Sequence, residues 1–305
     1  MITLRRLLCP VDFSEDSRRA LEYAAALAER RGLELSVLYV DTDGEAGSQT
    51  DVLRSLEDEL RAFVATTKNA RGTIHVVSVS GPPVRGILDQ VTALRSDLIV
   101  MGTRGRSGLA RVLLGSVTER VVREARCPVI TIPLALSGDA SLGVEPWSPI
   151  LCGTDFSPSC KKALGFALWA AQEKDARLIL LNAVAWPANV LVAEPLPILM
   201  DALPTRTELE EGAYKRLVAA MPDEDSARRR IAVVIATGDP SDAILRVAAD
   251  NKVKLIVMGV QSRSTTNLAV FGSTTRRVIQ EARCPVLSIR AEQHEEGWPL
   301  PKGSL

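Results

Sequence analysis

Residues 100–132, VMGTRGRSGLARVLLGSVTERVVREARCPVITI, lie over residues 257–289, VMGVQSRSTTNLAVFGSTTRRVIQEARCPVLSI, without a gap, and about half the positions are identical. Upstream, CPVDFSEDSRRALEYA (residues 9–24) faces CGTDFSPSCKKALGFA (residues 152–167), pairing Asp12 with Asp155, Phe13 with Phe156 and Ser14 with Ser157. A repeat of this length is too long for a solenoid unit and reads as a duplicated domain. The chain has 305 residues, enough for two cores. The expected boundaries are 1–134 for the first copy, 135–148 for a linker rich in Gly, Ser and Pro, 149–291 for the second copy and 292–305 for a mobile tail. The offset between copies is larger at the glycine-rich segments than at the aspartates, so the second copy carries an insertion. Pro187, Pro195, Pro197 and Pro204 place it in an irregular loop over 186–204.

Within the first copy, the apolar run Leu7 to Val11 is followed by Ser14 and then by Ala20, Leu21, Ala24, Ala25 and Leu27 at helical spacing. That predicts a strand, a cap and a helix, which Gly32 ends. Further strands are expected over 35–40, 73–79, 98–101 and 129–132. The intervening helices run from about Val52 to Phe63, from Pro83 to Leu94 and from Ser116 to Ala125. Five short apolar strands alternating with four helices imply an α/β fold with a doubly wound parallel sheet, covered on both faces, in each copy.

Composition narrows the function. Apolar residues make up 46% and charged residues 24%, the balance of a globular chain, and 37 basic residues offset 37 acidic ones. No net field draws the protein to nucleic acid or to an anionic membrane. No stretch of eighteen apolar residues predicts a membrane span and the N-terminus lacks a signal pattern, so the expected location is the cytoplasm. Cys9, Cys127, Cys152, Cys160 and Cys284 form neither a C-x-x-C pair nor a zinc spacing, and reduced, packed cysteines are expected. His75 and His294 offer no convincing general base.

In a doubly wound sheet, ligands bind beyond the carboxyl ends of the strands, where the winding reverses. Asp12 closes the first strand. The fourth runs through Met101 into Gly102-Thr-Arg-Gly105, and Gly115-Ser116 follows at the head of a helix. Glycines allow tight turns and close approach, and helix-start amides with the hydroxyls of Ser116 and Thr118 suit phosphate oxygens. A phosphate cradle is therefore expected. Asp12 and Asp155 also suit a plain role at a helix N-terminus, and Ser116 and Ser273 suit N-caps. No G-x-x-x-x-G-K-[ST], no G-x-G-x-x-G after the first strand and no G-x-S-x-G elbow is present.

These residues resemble the universal stress protein family in its tandem form, over nearly all of residues 1–291. The ATP-binding members carry G-x2-G-x9-G-[ST], which Gly102, Gly105, Gly115 and Ser116 match. Pro10-Val11-Asp12 and Arg126-Cys127-Pro128 match the flanking strands. The resemblance implies an adenine nucleotide alpha hydrolase-like nucleotide-binding fold in each copy. It places Asp12 and Val40 by the adenine, and Gly102, Arg104, Gly105, Gly115, Ser116, Val117 and Thr118 around the ribose and phosphates, with ATP as ligand, with or without Mg²⁺ or Mn²⁺. It also implies that the copies form an intramolecular pseudo-dimer through antiparallel pairing of Val129–Ile132 with Val286–Ile289, with room for a further homodimer and a regulatory protein partner.

The second copy departs from the motif. Gly259, Gly272 and Ser273 remain, as do Asp155 and Thr275, but Gln261 replaces the arginine and Ser262 the middle glycine. If the middle position needs a positive φ, serine there costs about 1 kcal/mol, and the lost arginine removes a contact worth roughly 1.5–3 kcal/mol. A weaker second site at Asp155, Gly259, Gly272, Ser273 and Thr275 is the expectation. The functional expectation is a nucleotide-dependent sensor or regulator in the stress response that acts by binding, with at most slow ATP hydrolysis. The alternatives are a slow ATPase or autophosphorylating protein and a nucleotide-free scaffold.

Overall fold

Each predicted strand of the first copy forms: residues 7–11, 98–102 and 129–132 are buried throughout, whereas residues 74–80, at the sheet edge, include no fully buried position. The computed structural model describes residues 4–42, 49–67, 73–105, 114–134, 136, 147–173, 176–184, 204–222, 228–260 and 272–291. The insertion (apart from Pro204), most of the linker, the tail and His294 lie outside these residues.

The first copy runs β1 (Arg6–Val11), α1 (Glu15–Arg31), β2 (Glu34–Asp41), α2 (Gln49–Ala65), β3 (Ile74–Ser80), α3 (Pro83–Ala93), β4 (Leu98–Gly102), α4 (Ser116–Glu124) and β5 (Val129–Ile132). The second repeats the order with β6 (Ile150–Gly153), α5 (Pro158–Glu173), β7 (Leu178–Val184), α6 (Arg206–Ala219), β8 (Ile231–Thr237), α7 (Pro240–Asp250), β9 (Leu255–Val260), α8 (Ser273–Glu281) and β10 (Val286–Arg290). Local signals explain the helix ends. The Ser14 hydroxyl caps α1 by accepting from the Ser17 amide, Gly32 ends the helix at a φ of 63°, and prolines open α3 and α7.

The strands form one ten-stranded sheet in the order β3-β2-β1-β4-β5-β10-β9-β6-β7-β8. Neighbours within each copy run parallel. The copies join where β5 meets β10 antiparallel, Ile130 opposite Leu287. The winding reverses in each copy, so that β1 lies between β2 and β4 and β6 between β7 and β9. Strand residues alternate between two cores: Leu7, Cys9 and Val11 pack with α1, while Leu8 packs under α3 and α4. Each core continues across the seam into the second copy.

Side chains fasten the seam on both faces. On one, the Trp147 indole N–H donates to the Tyr23 hydroxyl at 2.8 Å, and the Arg31 guanidinium lies over the Trp147 and Trp169 rings at 4.6 and 5.2 Å. On the other, Arg276 of α8 pairs with Glu119 of α4. All five cysteines are buried and unpaired, as expected of small packed hydrophobes. Burial pushes the Cys127 and Cys284 thiols up to about 12.

Candidate functional site

Asp12 leaves β1 at the point where the sheet reverses. The next residue, Phe13, takes a left-handed backbone at a φ of 62°, and its counterpart Phe156 does the same at 65°. Such a conformation costs a bulky residue about 1–2 kcal/mol. In the first copy packing holds it: the Phe13 ring lies tilted against Tyr39 at 4.7 Å and meets Phe63 edge-on at 5.3 Å. The turn brings Asp12 back over the start of α1, where its Oδ1 accepts from the Ser14 amide at 3.1 Å and the Ser14 hydroxyl at 2.5 Å. The Asp12 amide donates to the Ser17 hydroxyl at 3.3 Å. Asp12 thus has the helix-anchoring role and faces the glycine-rich turn as well.

The turn after β4 explains its glycines one by one. A Cβ on Gly102 would sit 3.0 Å from the Asp16 carbonyl oxygen, so this glycine lets α1 pack on β4. A Cβ on Gly105 would sit 2.7 Å from Asp12 Oδ2. Gly105 does not occupy the left-handed region, so a serine there meets no positive-φ penalty: the middle glycine makes room for the Asp12 carboxylate. Gly115 donates its amide to the Thr103 carbonyl at 2.9 Å and is itself the N-cap of α4. Ser116 is therefore the first helical residue rather than the cap, and Ser273 likewise follows the N-cap Gly272. Neither cap supplies a side-chain hydrogen bond, and the first amides of a helix have no intrahelical acceptor. The hydroxyl of Thr118 is buried and donates to the Gly102 carbonyl at 2.9 Å, so its proton ties α4 to the end of β4.

These pieces enclose a cavity of about 320 Å³. Pro10, Val11 and Asp12 come to it from β1 and its end, Val40 from β2, Met101, Gly102, Arg104 and Gly105 from β4 and its turn, and Gly115, Ser116, Val117 and Thr118 from α4. Sequence reasoning missed six further lining residues: Ser17, Leu38, Tyr39, Thr42, Pro83 and Ile87. A signal was available for most of them, since β2 ends and α3 begins at the same switch point as β1 and β4. The lining is apolar on the β2 and α3 side. On the α4 side it carries Arg104, the Ser116 hydroxyl and the helix-start amides.

Beside the cleft, Asp16 is buried and its Oδ2 has no hydrogen-bond partner among the described residues. Burial raises its carboxyl above the ordinary range, against the pull of the Arg104 and Arg19 guanidiniums.

In the second copy, Asp155 follows β6, Gly259 lies in β9, and Gly272, Ser273 and Thr275 start α8. Gln261 and Ser262 lie outside the described residues. Burial alone would raise the Asp155 carboxyl, but the Ser157 hydroxyl and amide outweigh it and hold the group below its usual value. Cys160 stands where the first copy has Ser17, and burial pushes its thiol up to about 11. A Cβ on Gly259 would lie 2.5 Å from the Cys160 amide nitrogen, so here too the strand-end glycine serves helix packing.

Residues 3–133 and 146–290 each match the family model described as the universal stress protein family. The chain is 31% identical to a universal stress protein of Mycobacterium tuberculosis, over 77% of this chain and 78% of that one. It is 26% identical to a universal stress protein of Synechocystis sp., over 94% of this chain and 100% of that one. The crystal structure of a universal stress protein from Archaeoglobus fulgidus has a similar fold, with a TM-score of 0.66 at 22% identity over 95% of this chain and 100% of that one.

Proposed function

Because this chain belongs to the universal stress protein family and carries the domain in tandem, we propose that its first copy is an adenine-nucleotide site with ATP as ligand. Occupancy of that site would act as a regulatory signal. The observation that supports this reading is the cleft formed by β1, β2, β4 and α4 at the switch point, in which an apolar wall faces a helix N-terminus and an arginine. The base fits the wall of Leu38, Val40, Pro83 and Met101. The Asp12 carboxylate, held by Ser14, serves as an acceptor toward base or ribose, away from the phosphates it would repel. Arg104, the Ser116 hydroxyl and the first amides of α4 neutralise and bind the phosphates.

Among the described residues no group of three His, Cys, Asp or Glu side chains gathers to hold a metal. A Mg²⁺ or Mn²⁺ would therefore ride on the phosphates with its waters, and Asp12 is the carboxylate within the cleft lining. No histidine is among the lining residues, and Asp12 is already engaged by Ser14, so the cleft offers little to activate water. The reading is accordingly a binding protein in which ligand-dependent populations present different surfaces to a protein partner.

The test is mass spectrometry of nucleotide released on denaturing the purified protein, beside calorimetric titration with ATP. The expected result is about one ATP per chain, with affinity reduced at least about tenfold in a Gly115→Ala, Ser116→Ala variant. Absence of nucleotide and of heat with both Mg²⁺ and Mn²⁺ would leave a protein-interaction scaffold. Phosphate release that the variant abolishes would leave a slow ATPase.

A further inference from the structure

A second cavity, of about 250 Å³, opens between the starts of α3 and α4. It shares Pro83, Ser116 and Val117 with the cleft, so the helix start assigned to phosphates is a wall common to both. Pro82 and Val84 extend its apolar lining, and Arg85 and Arg120 bring two exposed guanidiniums to it. Each pairs along its own helix, Arg85 with Asp89 at 3.5 Å and Arg120 with Glu124 at 3.4 Å, the kind of solvated contact that holds an arginine weakly.

The second copy treats the same place in the opposite way. Asp239, Ser241 and Asp242 stand where the first copy has Pro82, Val84 and Arg85, and Arg277 stands where it has Arg120. Arg277 pairs with Asp242 at 2.6 Å, with Glu281 at 3.0 Å and with Asp239 at 3.4 Å, and it donates to the Ser241 hydroxyl at 3.1 Å. There a guanidinium is neutralised by carboxylates reaching across from α7. In the first copy two positive charges flank an apolar groove that adjoins the cleft across their common wall of Pro83, Ser116 and Val117.

An apolar floor between two arginines, entered past a helix N-terminus, suits an anionic chain that ends in a flat ring. Inorganic anions would use the arginines but leave the floor wet, whereas a base covers the floor and stacks on guanidinium. We propose that this groove is a second-nucleoside subsite and that the first copy takes a dinucleoside polyphosphate. One adenosine occupies the cleft, the phosphate chain crosses the start of α4 between Arg85 and Arg120, and the second base lies against Pro82, Val84 and Val117. The proposal rests on the nucleotide reading of the cleft.

The two readings separate in one set of calorimetric titrations of the full chain with ATP, adenosine 5′-tetraphosphate and di(adenosine-5′) tetraphosphate, on the wild type and Arg85→Asp. ATP affinity reports the cleft, and the advantage of the dinucleotide over ATP reports the groove. The expected result is a dinucleotide at least about tenfold tighter than ATP and tighter than the mononucleoside tetraphosphate. In Arg85→Asp, which recreates the second copy's charge, that advantage disappears while ATP stays within about twofold. Equal affinity of ATP and the dinucleotide overturns the subsite and leaves the ATP site standing. So does an equal gain from adenosine tetraphosphate, an advantage that survives Arg85→Asp, or a parallel loss of ATP and dinucleotide in that variant. Failure of all three ligands to bind overturns both readings.

Discussion

The two copies agree in their backbone and differ in their side chains. Phe13 and Phe156 share a left-handed turn, as do Arg95 and Lys252 at φ values of 49° and 51°. Gly115 and Gly272 cap their helices at nearly the same angles, and Ala125 and Ala282 end them at nearly the same angles. At the cleft and groove the pairs part: Asp16 faces Ser159, Ser17 faces Cys160, Arg104 faces Gln261, Gly105 faces Ser262 and Arg85 faces Asp242. The duplicated backbone features answer demands of folding, so their presence in the second copy says nothing about a ligand. The divergent positions are the ones at which the fold asks little and ligand chemistry would ask much.

The strand-end glycines test that division with the largest expected effect. Gly102 and Gly259 both belong to the nucleotide motif, yet both are explained by a helix lying close on the strand. Gly259→Ala puts a Cβ 2.5 Å from the Cys160 amide nitrogen and 2.6 Å from the Ser159 carbonyl carbon, all backbone that cannot swing aside. Gly102→Ala meets the Asp16 carbonyl oxygen at 3.0 Å, a contact that a small shift relieves. Denaturant unfolding should show a loss of about 3 kcal/mol for Gly259→Ala and about 1 kcal/mol for Gly102→Ala. Equal and small losses would mean that the glycine is kept in the second copy for a ligand after all.

The architecture was legible because its causes are local. Apolar runs became strands, Ser14 and Gly32 bounded α1, and the repeat announced two copies of one domain, while the pairing of their last strands into one sheet was implied by the family resemblance. The site was legible as far as the motif reached. The residues of β2 and α3 that complete the wall, Leu38 and Ile87 among them, look like any core position until the sheet brings them to the switch point. Phe13 has no glycine to betray its left-handed turn; the duplicated Asp-Phe-Ser was the available hint. The reason for Gly105 was hidden in the sequence, because the carboxylate that fills its space lies far away along the chain.

Gly105→Ser gives the first copy the second copy's residue and sharpens the comparison at the cleft. Any Cβ there comes within 2.7 Å of Asp12 Oδ2, so the carboxylate must turn from the orientation in which Ser14 holds its other oxygen, or the turn must shift. ATP affinity should fall at least about tenfold, equivalent to about 1.4 kcal/mol, while stability changes by less than that. Unchanged affinity would mean that Asp12 and the turn do not touch the nucleotide, and that the second copy's serine is no bar to binding.

Asp16→Ser exchanges another pair, with a smaller effect of opposite sign. The second copy buries Ser159, 1% exposed, where the first buries a carboxylate whose Oδ2 finds no partner among the described residues. Because burial raises the Asp16 carboxyl, the folded protein keeps its proton to a higher pH than the unfolded chain does. Its contribution to stability is therefore fully present below the unfolded value of 3.8 and is lost as pH rises through the folded value. Near neutral pH the wild type carries an ill-solvated charge, offset in part by the Arg104 and Arg19 guanidiniums and by the helix N-terminus, which favours a negative charge by about 0.3–1 kcal/mol. The serine variant should be about 1 kcal/mol more stable at pH 7, read as a melting temperature higher by about 2–4 °C, and the gain should shrink toward pH 4. A variant less stable at pH 7 would show that the Arg104 and Arg19 guanidiniums fully compensate the buried carboxylate, and a gain independent of pH would show that its titration does not set the difference between the copies.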